Sequence, residues 1–389
     1  MAKKKKQSNK YATVLSVIAF IVLIAFVGAC YFYPPLYDKI MSFLKPEEDN
    51  GGNDYIVEGD TTIVSVLEDL KVHFVDVGQG DCIIIELPDG KNVLIDAGEN
   101  GYDDLKDYID NNTGVQSFDY VIATHGDSDH IGNMDKVLQD YEVKYVYRPH
   151  VLYTGDDYDF GADFNQGGSL DTKNSDAYGD FLYEVLNEKY QKDGEMVSAG
   201  WEFFTHNSDF AGKISYNEVI YEYYFDFLTP RVDNYTNINY KNANDYSPII
   251  KFTYCGVDIL FTGDAEGGSE GDAEDEFVEY YSPLAESNSI DLDVDILKVG
   301  HHGSLTSTTQ GLLDIVKPEF AIIQCGVNNK YHHPRQDTLD RLVGAGSTIF
   351  RNDLHGDIVL VINQLGSFNI LPTVVNPDKV MVGGEYLYQ

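Results

Sequence analysis

The sequence predicts an α/β fold in which two strand-rich sheets are faced by helices. Three observations carry that expectation. Short β-rich runs at 72–77, 82–87 and 93–95 are separated by Gly78-Gln79-Gly80-Asp81 and Pro88-Asp89-Gly90, which are hairpin signals. Farther along, apolar strands alternate with helical stretches, the pattern of sheets covered by helices. Several of those strands end in turns dense in histidine, aspartate and glycine, where an α/β sheet gathers functional side chains.

Along the chain, Lys3 to Lys6 form a basic cytoplasmic tail (1–11) ahead of an uncharged apolar run at 12–33. That run is long enough for one membrane-spanning helix and longer than a cleaved signal core. The lysines should stay in the cytoplasm. The expectation is a single-pass protein of the cell membrane whose catalytic domain is extracellular. Val27-Gly28-Ala29-Cys30 supplies the alternative, a lipoprotein tethered through Cys30. Residues 34–68 are acidic and rich in Gly and Asn and read as a linker. The folded domain is expected at 69–372, with a tail at 373–389.

Within that domain, helices are expected at 102–109 and 131–138, and strands at 120–124 and 144–147. Regularity fades at about 151–244, rich in Tyr, Asp, Asn and Gly, although a helix at 180–189 and an aromatic strand at 219–228 stand out. This segment reads as an inserted, solvated excursion, with a Tyr-rich substrate-shaping lid as the alternative. Strands resume at 248–254, 257–261, 294–299, 320–324, near 349, at 358–362 and at 368–371, with helices near 275–281, 310–316 and 336–343.

The formal charge of −37 disfavours broad nucleic-acid binding by the outer surface. It does not exclude nucleic-acid chemistry in a pocket, because bound divalent cations reverse the local field. The four cysteines, Cys30, Cys82, Cys255 and Cys325, show no CxxC spacing, and the last three lie in apolar runs as small buried hydrophobes. The acidic run Glu266, Glu270, Asp272, Glu274, Asp275, Glu276 lacks EF-hand order and reads as a solvated helix N-terminus.

The strongest chemical signal is Thr124-His125-Gly126-Asp127-Ser128-Asp129-His130, between an apolar strand and a helix. Four ligand-capable side chains within six residues can converge on a metal without long-range coincidence. Phe261-Thr262-Gly263-Asp264 and Val299-Gly300-His301-His302-Gly303-Ser304 deliver further ligand types just past apolar strands. Neither a Gly-x-Ser-x-Gly elbow nor an exposed nucleophilic cysteine stands out.

These motifs, with His73-Phe74-Val75-Asp76-Val77-Gly78-Gln79-Gly80-Asp81, Ile95-Asp96-Ala97-Gly98 and Gly326-Val327-Asn328-Asn329-Lys330-Tyr331-His332-His333-Pro334, resemble the metallo-β-lactamase superfamily. Within it they resemble the extracellular hydrolase domain of the ComEC competence family. The resemblance spans about 70–370 and implies an αββα sandwich, here preceded by the transmembrane helix. It also implies two divalent metal ions. His125 and Asp127 would hold the first, Asp129 and His130 the second; Asp264 would bridge, and His301 or His302 would complete the second site. Asp76 and Asp96 would orient ligands. Asp129, His302, His333 and Asn328 are the candidates for contact with the reacting group.

The chain departs from the general superfamily at two places. Asp127 stands where many members have His, and the histidine expected before the Asp264 strand is replaced by Asn242-Ala243-Asn244-Asp245-Tyr246-Ser247. His206 is a distant candidate for that gap. An oxygen-rich first site shifts preference toward manganese or magnesium, with zinc at the other. Two such ions would supply an activated water near neutral pH and stabilise charge on a substrate. The expected substrate is a phosphodiester, DNA included, with Lys298, Lys330, Arg335 and Arg351 as a local basic patch. Alternatives are another ester, such as a phosphorylcholine ester or a lactone, and a non-catalytic surface binding module. No obligate protein partner is inferable.

Overall fold

The computed structural model describes residues 61–167, 175–232, 238, 240–287, 289–374, 380–382 and 385–387. The expected membrane anchor at 12–33, and Cys30 with it, lie outside the described residues. Among the described residues, no helix is long and apolar enough to cross a membrane.

The strands that position the site are β1 (Thr61–Ile63), β2 (Leu70–Phe74), β3 (Cys82–Glu86), β4 (Asn92–Ala97), β5 (Ser117–Ile122) and β6 (Glu142–Arg148). A small hairpin, β7 (Lys189–Lys192) and β8 (Glu195–Ser198), precedes β9 (Gly200–Phe203), β10 (Phe210–Tyr216) and β11 (Val219–Phe227). Then follow β12 (Ile250–Tyr254), β13 (Val257–Phe261), β14 (Ile296–Lys298), β15 (Phe320–Ile323), β16 (Thr348–Arg351), β17 (Ile358–Ile362) and β18 (Phe368–Pro372). They form two eight-stranded sheets, ordered β1-β10-β11-β12-β13-β14-β15-β16 and β18-β17-β2-β3-β4-β5-β6-β9.

Each central strand is apolar on both faces, and the period-2 pleat sends alternate residues to different cores. Phe74, Ile83, Ile95 and Ile122 of one sheet share a buried cluster with Phe225, Phe252, Ile259 and Ile296 of the other, so these faces meet. The alternate residues Ile84, Leu94 and Val121 pack instead with Leu105 and Ile109 of the helix Tyr102–Asn112 and Met134 and Val137 of the helix Met134–Asp140. On the other sheet Leu260, Leu297 and Ala321 pack with Phe277, Leu312 and Leu339 of the helices Ala273–Glu286, Gln310–Val316 and Gln336–Ala345. The result is helices outside and two sheets inside.

The segment read from sequence as a solvated excursion is partly core. Residues 200–227 supply β9 to one sheet and β10 and β11 to the other. Phe204, Phe210, Tyr223, Phe225 and Phe227 are buried between the sheets, with Phe210 stacked on Phe225 at 4.3 Å. Along β11 these aromatics alternate with the exposed Tyr224 and the half-buried Asp226, and those outward residues give the stretch its polar composition.

Strands β4, β5 and β6 run parallel, as do β13, β14, β15 and β16. Their C-terminal ends carry Asp96, His125, Asp264 and His301-His302, so the topology itself gathers the candidate ligands at strand ends.

Candidate metal centre

The His125–His130 segment leaves β5 and enters a four-residue helix at Ser128–Ile131, with Asp127 in extended backbone at its start. The β2–β3 connection packs on it: the Asp81 N–H donates to the Asp129 carbonyl at 3.1 Å. Only glycine permits this approach, because a Cβ on Gly80 would stand 2.3 Å from that same carbonyl oxygen.

His125, His130 and His302 are almost fully buried, and each is held from behind by its Nδ1. The Nδ1 of His130 lies 2.7 Å from Asp96 Oδ2, and that of His302 lies 2.9 Å from the Gln324 carbonyl. Both partners can only accept, so both Nδ1 atoms carry the proton. Thr124 Oγ1 gives its proton to Asp96 at 2.7 Å and therefore accepts from His125 Nδ1 at 3.1 Å, where Ser247 Oγ also lies at 3.2 Å. His301 Nδ1 faces Glu266 Oε1 at 2.9 Å. All four imidazoles thus present Nε2 inward, the tautomer a metal ligand needs.

What they face is carboxylate. His130 Nε2 lies 3.1 Å from Asp264 Oδ1, while His302, His301 and His125 place Nε2 at 3.6, 3.7 and 4.0 Å from Asp264 Oδ2. His302 Nε2 is also 3.3 Å from Asp129 Oδ2, and His125 Nε2 is 4.0 Å from Asp127 Oδ2. The Nε2 atoms of His125, His130 and His302 and Oδ1 of Asp264 are buried without a hydrogen bond. Orphaned lone pairs converging from four side chains fit a cation and are costly otherwise.

The field agrees. Burial works against charge on His302, yet Asp264 and Asp81 push its pKa up to about 10. Burial likewise opposes ionisation of Asp264, but His130, His302 and His301 hold its carboxyl far below the usual range. His125 differs: burial, aided by His130, pushes it down and keeps it a neutral donor.

Several expectations are changed by the geometry. Asp96 stands behind His130, as expected, but Asp76 does not touch the cluster. Asp76 is exposed, and its carboxylate accepts from the Gly78 N–H two residues on, an Asx-type turn. His206 sits in the β9–β10 connection, its N–H donating to the Pro230 carbonyl. The group of mutually close donors, Asp81, His130, Asp264 and His302, does not include it. The basic patch is halved: Lys298 is fully buried against Asp81 at 2.6 Å, and Arg351 is turned onto Asp353 at 2.6 Å. Lys330 and Arg335 remain exposed. Asn328 is exposed and His333 half-buried at the rim, where the His333 ring lies 5.5 Å from that of His301.

Two positions escaped the sequence reading. Asp81, read as part of a hairpin turn and of the family-like His73–Asp81 stretch but given no role, approaches His302 Nδ1 at 3.2 Å while paired with Lys298. It belongs to the close group of donors and stands on the Nδ1 side of His302, with Lys298 matching its charge. Glu266 was placed on a solvated helix start; instead it holds His301 and accepts from Asn244 Nδ2 at 3.1 Å and Thr306 Oγ1 at 3.0 Å. Glu274 of the same run is fully buried and accepts from the Thr308 and Thr309 N–H groups. The place of Asp81 at the end of the family-like His73–Asp81 stretch was the available signal for the first. For Glu266 the local sequence offered none.

A model of the metallo-beta-lactamase superfamily matches residues 75–209. The chain carries a metallo-β-lactamase domain. It is 25% identical over 329 residues to ComE operon protein 3 of Bacillus subtilis (strain 168), covering 79% of this chain and 35% of that protein. Recombination protein 2 of Haemophilus influenzae is 25% identical over 294 residues, covering 74% of this chain and 28% of that protein. The domain is homologous to ComEC-type competence proteins, and the chain spans about a third or less of these relatives' length. Among solved structures, the metallo-beta-lactamase fold protein YhfI from Bacillus subtilis aligns with 72% of this chain and 95% of its own, at 10% identity and a TM-score of 0.38. The chain thus carries this superfamily's domain, with an Asp/His cluster that could hold a metal ion.

Proposed function

We propose that this is a membrane-tethered, extracytoplasmic phosphodiesterase, nuclease-like in substrate, that uses two divalent cations. The observation that carries it is the convergence of buried, unpaired Nε2 atoms of His125, His130 and His302 on Asp264. In this reading Asp129, His130 and His302 would hold one cation and His125 and Asp127 the other, with Asp264 available to both. His301 fills the place left by the missing histidine. Its Nε2 faces the same Asp264 oxygen as His125, and Asn244, in the stretch where a histidine was expected, lies 3.4 Å from its Nδ1. His301 and His302 both adopt left-handed backbone, φ 46° and 53°, a strained pair that a requirement on both side chains explains.

Bound cations would supply an activated water and stabilise charge on the substrate oxygens. The protein's own part is to fix donors. Asp96, Gln324, Thr124 and Glu266 lock the imidazole tautomers, and the closed packing around Asp264 excludes bulk water. His333 and Asn328 stand at the rim to meet the scissile group, and Lys330 and Arg335 offer the exposed positive charge nearby. An oxygen-rich first site of Asp127, Asp264 and one or two imidazoles favours manganese. The tether rests on the apolar run at 12–33 behind Lys3 to Lys6.

The test is the full chain in detergent, loaded with manganese or zinc and offered a generic phosphodiester, single-stranded DNA, a choline phosphoester and a lactone. Metal-dependent phosphodiester cleavage, lost in Asp129→Ala, is the expected result. Lactone or choline-ester turnover alone would overturn the substrate assignment, and absence of both metal and turnover would make this a binding module.

A further inference from the structure

The site must take a polyanion while the chain carries a formal charge of −37. Diffuse electrostatics therefore oppose capture, and affinity has to come from contacts close to the cations. Those contacts are concentrated in one loop. After β15 the chain runs through Val327, Asn328, Asn329, Lys330, Tyr331 and His332 to His333, and Asn329 braces it from inside. Its Nδ2 donates to the Gly326 carbonyl at 3.0 Å and to the His333 carbonyl at 2.6 Å, and its Oδ1 accepts from the His333 N–H at 2.9 Å.

The braced loop carries a ladder of rings from the candidate ligands to solvent. The His333 ring lies 6.4 Å from that of His302 with planes 30° apart, and Tyr331 stacks on His333 at 5.7 Å and 24°. The outer end of the ladder is open: Tyr331 is 46% exposed and Val327 67% exposed. Lys330 is exposed, and its Nζ lies over the Tyr331 ring, 4.8 Å from the ring centre. An exposed aromatic ring with a lysine ammonium over it, one ring removed from the candidate ligands, matches the combination of stacking and positive charge that holds unpaired bases on single strands.

We propose that Tyr331, stacked on His333 and flanked by Lys330, is a specificity-determining platform for an unpaired nucleobase next to the scissile phosphodiester. The inference rests on the phosphodiester reading for where the backbone lies. It assigns the selectivity to single-stranded nucleic acid, because the bases of a duplex are stacked inside and cannot reach the ring. The platform supplies what the acidic surface withholds, a short-range contact that does not depend on net charge.

The test uses the full chain, loaded with manganese, and fluorescent oligothymidylate beside the same sugar–phosphate chain without bases. Binding is read by stopped-flow anisotropy ahead of turnover. The base-bearing strand should bind about tenfold more tightly, the effect of one stacked base. Tyr331→Ala and Tyr331→Leu should erase that ratio, and Tyr331→Phe should keep it. Equal binding of the two strands by the wild-type chain, or an unchanged ratio in both non-aromatic variants, would overturn the platform. So would a blunt duplex binding as well as the single strand. If the wild type cleaves phosphodiesters but shows no base preference, the platform alone falls. Base-selective binding that Tyr331→Ala abolishes, without any cleavage, supports the platform and removes the hydrolytic assignment.

Discussion

Asp96 Oδ2 sits 2.7 Å from His130 Nδ1, and the same carboxylate accepts from both the backbone N–H and the hydroxyl of Thr124. One buried carboxylate therefore sets the tautomer of His130 directly and that of His125 through Thr124. Asp96 itself is held in left-handed backbone at φ 57°, a conformation costly for a non-glycine residue and retained at the end of β4.

Asp96→Asn replaces one of the two acceptor oxygens, which together take three donors, by an amide donor. Metal affinity, measured by competition with a coloured chelator, should fall by about 10- to 100-fold. The fold should persist by circular dichroism. Unchanged affinity would show that Asp96 orients nothing that matters to the cations.

His301→Ala and His302→Ala should each leave the chain with about one tightly held equivalent of manganese instead of two, counted by elemental analysis after gel filtration. If His301→Ala keeps both equivalents while His302→Ala loses one, His301 faces substrate and the first site has only His125 for nitrogen. If the wild type holds none, the binuclear reading itself fails.

Lys298 and Asp81 form a fully buried ion pair at 2.6 Å. Lys298→Met would leave the buried Asp81 carboxylate without its lysine and with only His302 close by, a loss of about 3 kcal/mol. Urea unfolding should register it, and Lys298→Met combined with Asp81→Asn should recover a large part. A single-variant loss below about 1 kcal/mol, or no recovery in the pair, would argue against this account.

Away from the site, Glu86 accepts from His73 Nε2 at 2.9 Å, from the Gly114 N–H at 2.9 Å and from Lys71 at 3.2 Å. Burial opposes its charge, but these donors outweigh it and lower the pKa from 4.5 to about 2. A depressed carboxylate stabilises the fold above its unfolded pKa, and that contribution disappears as pH falls from about 4.5 through 2. Glu86→Gln should therefore cost roughly 1–2 kcal/mol at neutral pH, and the gap to wild type should close in acid. Thermal melts at several pH values decide it; a gap constant with pH would exclude the linkage.

The candidate ligands were readable from order alone. His125, Asp127, Asp129 and His130 lie within one strand-to-helix turn, so their convergence needs only local geometry, and Asp264 and His301-His302 follow apolar strands whose parallel ends meet. The strand alternation was equally readable in 72–77, 82–87 and 93–95, because each residue's face follows from the pleat. What only the tertiary structure decided is which atom of each side chain faces the centre. An imidazole has two nitrogens, and the inward one is fixed by a partner distant in sequence: Asp96 for His130, Gln324 for His302, Glu266 for His301. The same holds for charge. Lys298 looked like part of a basic patch, and Glu266 like a solvated carboxylate, until folding placed Asp81 against one and His301 against the other. Sequence spacing supplies donors; burial and pairing, which act through contacts between distant segments, determine what each donor can do.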